Sequence, residues 1–382
     1  MDNSSWFIAR VNYLKGLASL SAILLYTITV NAQSSAFKGL ENLFETPGNY
    51  VVYHVDHPPV IDGNINELVW QQVNWTKEFV DIEGSAKPKP TYPTKIKMLW
   101  DDSCLYIAAQ LTEPNVWATL KHHDDVIFHD NDFEFFIDPA NTAQPYYEVE
   151  VNPLNTIFDL LLTKPYRDGG SPLSNWDLRA LRSAVKIQGT LNDPSDKDEG
   201  WTVEMAIPFK SLVSNLRSGT PHDGTMWRIN FSRVEWDTKV VNGNYVKLKD
   251  SSGKALPEHN WVWSPQGVIN MHYPERWGYL QFSNKTPNSV TFNLPYAELQ
   301  KQYLWLIYYR QKKWFIGHHE YALTLHDLGI DEHAGIDKKD NILKLEATRH
   351  QFMAWITDSE TKATWAINQD GLIQRINNQP HE

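Results

Sequence analysis

The chain has 382 residues, 42% hydrophobic and 21% charged, apolar enough for a folded core and for more than one domain. Its formal charge of −11, with no basic stripe, excludes nucleic acid as a partner, because phosphates need clustered Lys and Arg. The single cysteine, Cys104, excludes an intramolecular disulfide and reads as strand core.

Residues 1–32 have the order of a secretory signal. Arg10 and Lys15 give a basic start, residues 16–30 are uncharged and mostly apolar, and Val30-Asn31-Ala32 suits cleavage before Gln33. The apolar run is shorter than the ~20 residues of a membrane span, and no later run exceeds it. The expectation is an exported protein, periplasmic or extracellular, without a membrane span once the signal is removed. Residues 33–48 form an N-terminal lead.

Residues 49–283 read as a train of short strands: 50–55, 94–100, 104–111, 132–138, 147–152, 157–162, 184–191, 201–207, 227–235 and 277–282. Breaker-rich turns such as Pro58-Pro59-Val60-Ile61-Asp62-Gly63 separate them, with a short helical turn at 64–70 that delivers Trp70 to the core. Many short strands and few helices predict a mainly β fold, an antiparallel β-sandwich.

The pattern is sharpest in Asp132-Phe133-Glu134-Phe135-Phe136-Ile137-Asp138, where Phe133, Phe135 and Ile137 share one face and the carboxylates the other. Tyr147, Val149 and Val151 alternate with Glu148, Glu150 and Asn152 in the same way. Such an acidic face is either a solvated surface or a binding surface, since opposed like charges favour a cation or ligand between them. The same parity places Glu204, Arg228 and Asn230 outward, so Glu134, Glu150, Asn152, Glu204, Arg228 and Asn230 are expected on one sheet face, a set able to grip neighbouring hydroxyls.

Residues 237–260 read as a long polar loop, closed by Trp261-Val262-Trp263, with Trp261 expected at a site rim. Residues 284–295 form a linker between two independently folding units. In the small α+β C-terminal unit, residues 296–382, a helix over 296–315 has Leu299, Tyr303, Leu306, Ile307 and Trp314 along one side and Lys301, Arg310, Lys312 and Lys313 over the remainder. Three strands at 341–348, 351–356 and 364–367 complete it.

The stretch from Pro59 to Phe282 resembles carbohydrate-binding module family 9. The resemblance lies in Pro59-Val60-Ile61-Asp62-Gly63 with Trp70, Leu99-Trp100-Asp101-Asp102, the acidic strand from Asp132, Gly200-Trp201-Thr202-Val203-Glu204-Met205-Ala206-Ile207-Pro208, Trp227-Arg228-Ile229-Asn230-Phe231, and Trp277-Gly278-Tyr279-Leu280. It implies a β-sandwich that binds poly- or oligosaccharide, often beside structural calcium, and serves polysaccharide breakdown. The family's sugar-clamping tryptophans fall on Phe128 and Met271, its acidic ligand on Glu134, its asparagine on Asn152 and its arginine on Glu150, which reverses the charge there. The expected ligand-binding set is Phe128, Glu134, Asn152, Asn230, Trp261 and Met271. Non-catalytic sugar binding leads. A glycoside hydrolase built on two of Glu134, Glu148, Glu150 and Glu204 is the alternative, and a haem-binding sandwich with Met271 or His272 as ligand is a further one.

Overall fold

The computed structural model describes residues 37–212 and 220–376. The signal-like stretch at 1–32 lies outside them.

One hydrogen-bonded path builds the first unit. It runs through Pro172–Leu173, Ile157–Leu162, Tyr146–Val151, Phe133–Asp138, Met226–Glu235, Gly278–Ser283, Asn49–His54, Thr94–Trp100, Cys104–Thr112, Gly200–Pro208 and Arg182–Gln188. The path curls over a single core. Phe133, Phe135, Val149 and Phe231 from one half pack with Ile96, Ile107, Val203 and Ile207 from the other, as the alternation requires. The sandwich is therefore one curled sheet. Its halves are joined by Asn49–His54, which runs parallel to both neighbours, whereas every other pairing among the described strands is antiparallel. Parallel neighbours need long connections, and the sequence distance from 54 to 94 and onward to 278 supplies them.

Gly278 marks the tightest seam. A Cβ there would lie 2.3 Å from the Trp263 ring and 3.0 Å from the Gly48 carbonyl oxygen. Gly278→Ala is expected to cost about 1–3 kcal/mol through overpacking, measured as a lower urea midpoint at unchanged slope.

The stretch 237–260 contains structure that its polarity concealed. Thr238–Val241 and Asn244–Lys247 form a hairpin about Asn242-Gly243. Both turn residues have positive φ, 50° and 75°, the conformation that an Asn-Gly pair favours in a two-residue hairpin loop. His259–Val262 then pairs with the end of Met226–Glu235.

The C-terminal unit is a helix, Tyr296–His318, laid on five strands; His333–Ile336 and Ile373–Ile376 flank the three expected from sequence. Pro295 opens the helix with extended backbone and His319 closes it in the left-handed region. Tyr303, Leu306 and Ile307 of the expected stripe are buried and Leu299 and Trp314 half-buried; Leu304, Trp305, Tyr308 and Tyr309 are buried as well, because the sandwich covers the side that the small sheet leaves free. Lys301 and Lys312 are drawn into that junction rather than decorating the surface. Lys301 pairs with Glu298 at 2.8 Å and Lys312 with Asp168 at 2.7 Å. Arg228 and Arg167 reach across from the sandwich, Arg228 to Glu298 at 3.3 Å and Arg167 to the Tyr308 hydroxyl at 3.2 Å. Phe37, from the N-terminal lead, packs on Tyr303, and the linker is pinned where Phe292 stacks on Tyr279. Among the described residues no helix is long and apolar enough to cross a membrane.

Candidate ligand-binding cavity

The acidic face is not a wet surface. Glu134 lies opposite Glu150 and Phe136 opposite Glu148 in adjacent strands, so three carboxylates and an aromatic ring form a floor. Asp132 extends it, exchanging backbone and side-chain hydrogen bonds with Val234: the Val234 N–H donates to Asp132 Oδ1 at 3.0 Å. Glu134, Glu148 and Glu150 are all buried, because segments distant in sequence arch over them. What remains open is a cavity of about 450 Å³, walled by Phe128, Phe158, Leu160, Glu258, Asn260 and Met271. Its mouth carries Val126, Tyr166 and Ile269, which are apolar and exposed.

Burial pushes the Glu134 carboxyl up to about 7. Burial, followed by the charge of Glu134, raises Asp132, Glu148 and Glu150 well above the usual carboxylate range. Among the described residues no Lys or Arg lines the cavity. His272, at its wall, accepts from or donates to the Tyr146 hydroxyl through Nδ1 at 2.9 Å. Burial, then the nearby Arg167, lowers its imidazole to about 4. An imidazole held neutral in the fold weakens the fold as its unfolded counterpart takes up a proton. Relative to His272→Gln, the parent is therefore expected to lose stability progressively between pH 6.5 and 4, read from paired denaturation curves.

Of the six residues expected to bind ligand, Phe128, Glu134 and Met271 line this cavity. Phe128 is held by its own N–H, which donates to Glu150 Oε2 at 2.8 Å, and the Met271 carbonyl accepts from Trp277 Nε1 at 2.8 Å. Asn152, Asn230 and Trp261 are placed elsewhere. Asn152 is fully buried and its amide is consumed: Nδ2 donates to the Leu120 carbonyl and Asp130, and Oδ1 accepts from the Leu154 and Thr156 N–H groups. Asn230 has the expected parity, but its side chain clasps the Ser264 backbone, Nδ2 to O at 2.8 Å and N to Oδ1 at 3.0 Å. Trp261 packs in the core beside Arg233 and Tyr92 instead of standing at a rim.

Two members of the expected polar face also part from it. Glu204 sits on the other half of the sheet, where Oε1 accepts from Trp70 Nε1 at 2.7 Å and Oε2 from the Asp62 N–H at 3.2 Å. Arg228 is opposite Asp138, at the far end of the strand pair from Glu134, and donates to the Tyr279 hydroxyl and the Trp277 carbonyl, both at 2.7 Å. Parity assigns a side of the sheet, not a position along a curled one.

The wall residues Phe158 and Tyr166 escaped the sequence reading. Phe158 pairs with Glu150, so extending the alternation into Ile157–Leu162 would have found it. Tyr166 stands edge-on to His272, with ring centroids 4.5 Å apart, in a helical turn that carries no pattern.

A sheet sandwich with an acidic, aromatic-walled cavity on its outer face is a small-ligand binding module. The profile of the Carbohydrate family 9 binding domain-like family matches residues 61–282, more than half of the chain, and the protein belongs to that family. The chain is 26% identical over 261 residues to endo-1,4-beta-xylanase A of Thermoanaerobacterium saccharolyticum, covering 68% of this chain and 18% of that protein. It is 26% identical over 211 residues to exoglucanase XynX of Acetivibrio thermocellus, covering 55% of this chain and 17% of that protein. The chain thus spans less than a fifth of the length of these relatives. Among solved structures, a putative carbohydrate-binding protein from Bacteroides uniformis aligns at 17% identity and a TM-score of 0.46, covering 62% of this chain and all of that one. A family 9 module from Caldicellulosiruptor kristjanssonii in complex with glucose aligns at 17% identity and a TM-score of 0.38, covering 64% of this chain and all of that one.

Proposed function

We propose that the protein is an exported, non-catalytic saccharide-binding protein that serves polysaccharide breakdown, and that the sugar enters the cavity over Glu134. The observation that carries this reading is the cavity itself. Its volume of about 450 Å³ is within the ~300–1,000 Å³ of small-ligand sites, with carboxylates on the floor and Phe128, Phe158 and Met271 on the walls. Carboxylates accept from paired hydroxyls while rings cover the apolar faces of a pyranose. Membership of a carbohydrate-binding family agrees with it, and the xylanase and exoglucanase relatives set the sugars to try first.

Binding is favoured over hydrolysis because Asp132, Glu134 and Glu150 crowd one floor, their nearest oxygens all within 4.8 Å of one another. Hydrolysis places its two carboxyl groups on opposite sides of the scissile bond. Export rests on the signal-like order of residues 1–32; intact mass of the secreted or periplasmic protein is expected to start at Gln33, and retention of Met1 would refute it.

The experiment is binding of xylo- and cello-oligosaccharides to the full chain by calorimetry, with Phe128→Ala in parallel. Loss of one stacked ring is expected to weaken binding about 2–10-fold, from ~0.5–1.5 kcal/mol. Unchanged affinity in Phe128→Ala would move the sugar away from this wall.

A further inference from the structure

We propose that the C-terminal helix braces one wall of the cavity, making Tyr308, Tyr309 and Lys312 positioning residues for ligand binding although none of them lines the cavity. Only the identity of the ligand rests on the saccharide reading; the brace itself concerns two short turns of the sandwich.

The first turn, Tyr166–Asp168, points in two directions. Tyr166 stands at the cavity mouth, edge-on to His272 with ring centroids 4.5 Å apart. The next two residues face the helix. Arg167 Nε donates to the Tyr308 hydroxyl at 3.2 Å, and that hydroxyl donates to Asp168 Oδ1 at 2.6 Å. Lys312 Nζ reaches the same carboxylate oxygen at 2.7 Å. Tyr308 and Lys312 are four residues apart and so share one face of the helix, which lets both act on one turn. Just before that turn, Lys164 pairs with Asp370 of the C-terminal unit at 3.3 Å.

The second turn, Pro274–Arg276, follows Met271 and His272, which line the wall. Its Glu275 accepts from the hydroxyl of Tyr309, the neighbour of Tyr308 in the helix. Arg167 joins the two turns: its guanidinium pairs with Glu275 at 2.8 Å and lies 3.9 Å over the Tyr273 ring. Tyr166 and the Met271-His272 pair are thus held against each other through a network whose third member is the helix. Burial raises both phenols, so they stay protonated donors, and a hydrogen bond to a carboxylate is stronger than one between neutral groups. Within themselves the turns have only short-range backbone bonds, such as Asp168 N–H to the Pro165 carbonyl and Arg276 N–H to the Tyr273 carbonyl. Local structure of that kind opens readily unless it is anchored. The family match ends at residue 282, so the anchor comes from outside the matched module.

The test is hydrogen exchange of the full chain without sugar, comparing the parent with Lys312→Met and with the double variant Tyr308→Phe/Tyr309→Phe, which keeps both rings and deletes both hydroxyls. Amides of residues 166–170 and 274–277 are expected to exchange at least about tenfold faster in the double variant, while strands Phe133–Asp138 and Tyr146–Val151 keep the parent's exchange. Lys312→Met is expected to speed exchange in the first turn alone. Tyr303→Phe, on the same helix but packed on Phe37, is the control and is expected to match the parent. Whichever xylo- or cello-oligosaccharide the parent binds is expected to bind the double variant about 3–10-fold more weakly. Parental exchange in both turns of the double variant, equal acceleration in the floor strands or in Tyr303→Phe, or parental affinity despite loosened turns would each overturn the proposal. Should the parent bind none of these sugars, the saccharide reading fails and exchange alone decides the brace.

Discussion

Glu298→Ala is expected to destabilise the protein by about 3–5 kcal/mol, the largest effect of any single change considered, although Glu298 is remote from the cavity. Burial pushes the Glu298 carboxyl up, yet Lys301 and then Arg228 hold it below its ordinary value. It is the shared acceptor for both cations, Lys301 at 2.8 Å and Arg228 at 3.3 Å, and also accepts from Asn141 Nδ2 at 2.9 Å. Removing it leaves two buried cations without a carboxylate, and an unpaired buried charge costs more than the pair contributes. Glu298→Gln keeps the shape and part of the hydrogen bonding and is expected to lose less. Because Arg228 belongs to the sandwich and Glu298 to the helix, urea unfolding of Glu298→Ala is expected to show the C-terminal unit loosening before the sandwich. A midpoint equal to the parent's would mean that the junction contributes nothing to stability.

Glu134→Gln is expected to weaken saccharide binding ten- to hundred-fold, from loss of charge-assisted hydrogen bonds worth ~1.5–3 kcal/mol, without loss of fold. Fold is spared because Glu134 lies on the opposite side of the strand from the Phe133 and Phe135 core. Stability is expected to hold or rise, since glutamine carries no charge into a floor shared with Glu150, Glu148 and Asp132. Equilibrium binding and melting on the same preparation separate the two effects.

Much of this arrangement was legible in the residues. Alternation through 132–138 and 147–152 located the core face and the acidic face, and hydrogen-bonded pairing puts Glu134 directly opposite Glu150. The family register brought Phe128 and Met271 to the same cavity, although they are far apart in the chain. What periodicity does not carry is the third dimension of a curled sheet. Glu204 and Arg228 have outward parity like Glu134, yet one lies under Trp70 and the other under the C-terminal helix. Nor does alternation show when a polar side chain serves the backbone. Asn152 and Asn230 are amides with two-sided hydrogen-bonding capacity, and each is used up in fixing a neighbouring loop. Trp261 was misplaced for a related reason: it lies within the strand His259–Val262, paired with Arg233, and its ring turns inward. The helix showed one apolar stripe, yet from 303 to 309 it is buried all round, because its second partner is the sandwich.

The central claim, that the cavity over Glu134 binds saccharide, is tested most directly by calorimetric titration of the full chain and of Glu134→Gln with a panel of xylo- and cello-oligosaccharides. Saturable binding by the parent to at least one of these, weakened at least tenfold in a Glu134→Gln protein that melts no lower than the parent, is the predicted result. Binding to none of them, or equal binding by parent and variant, would contradict it.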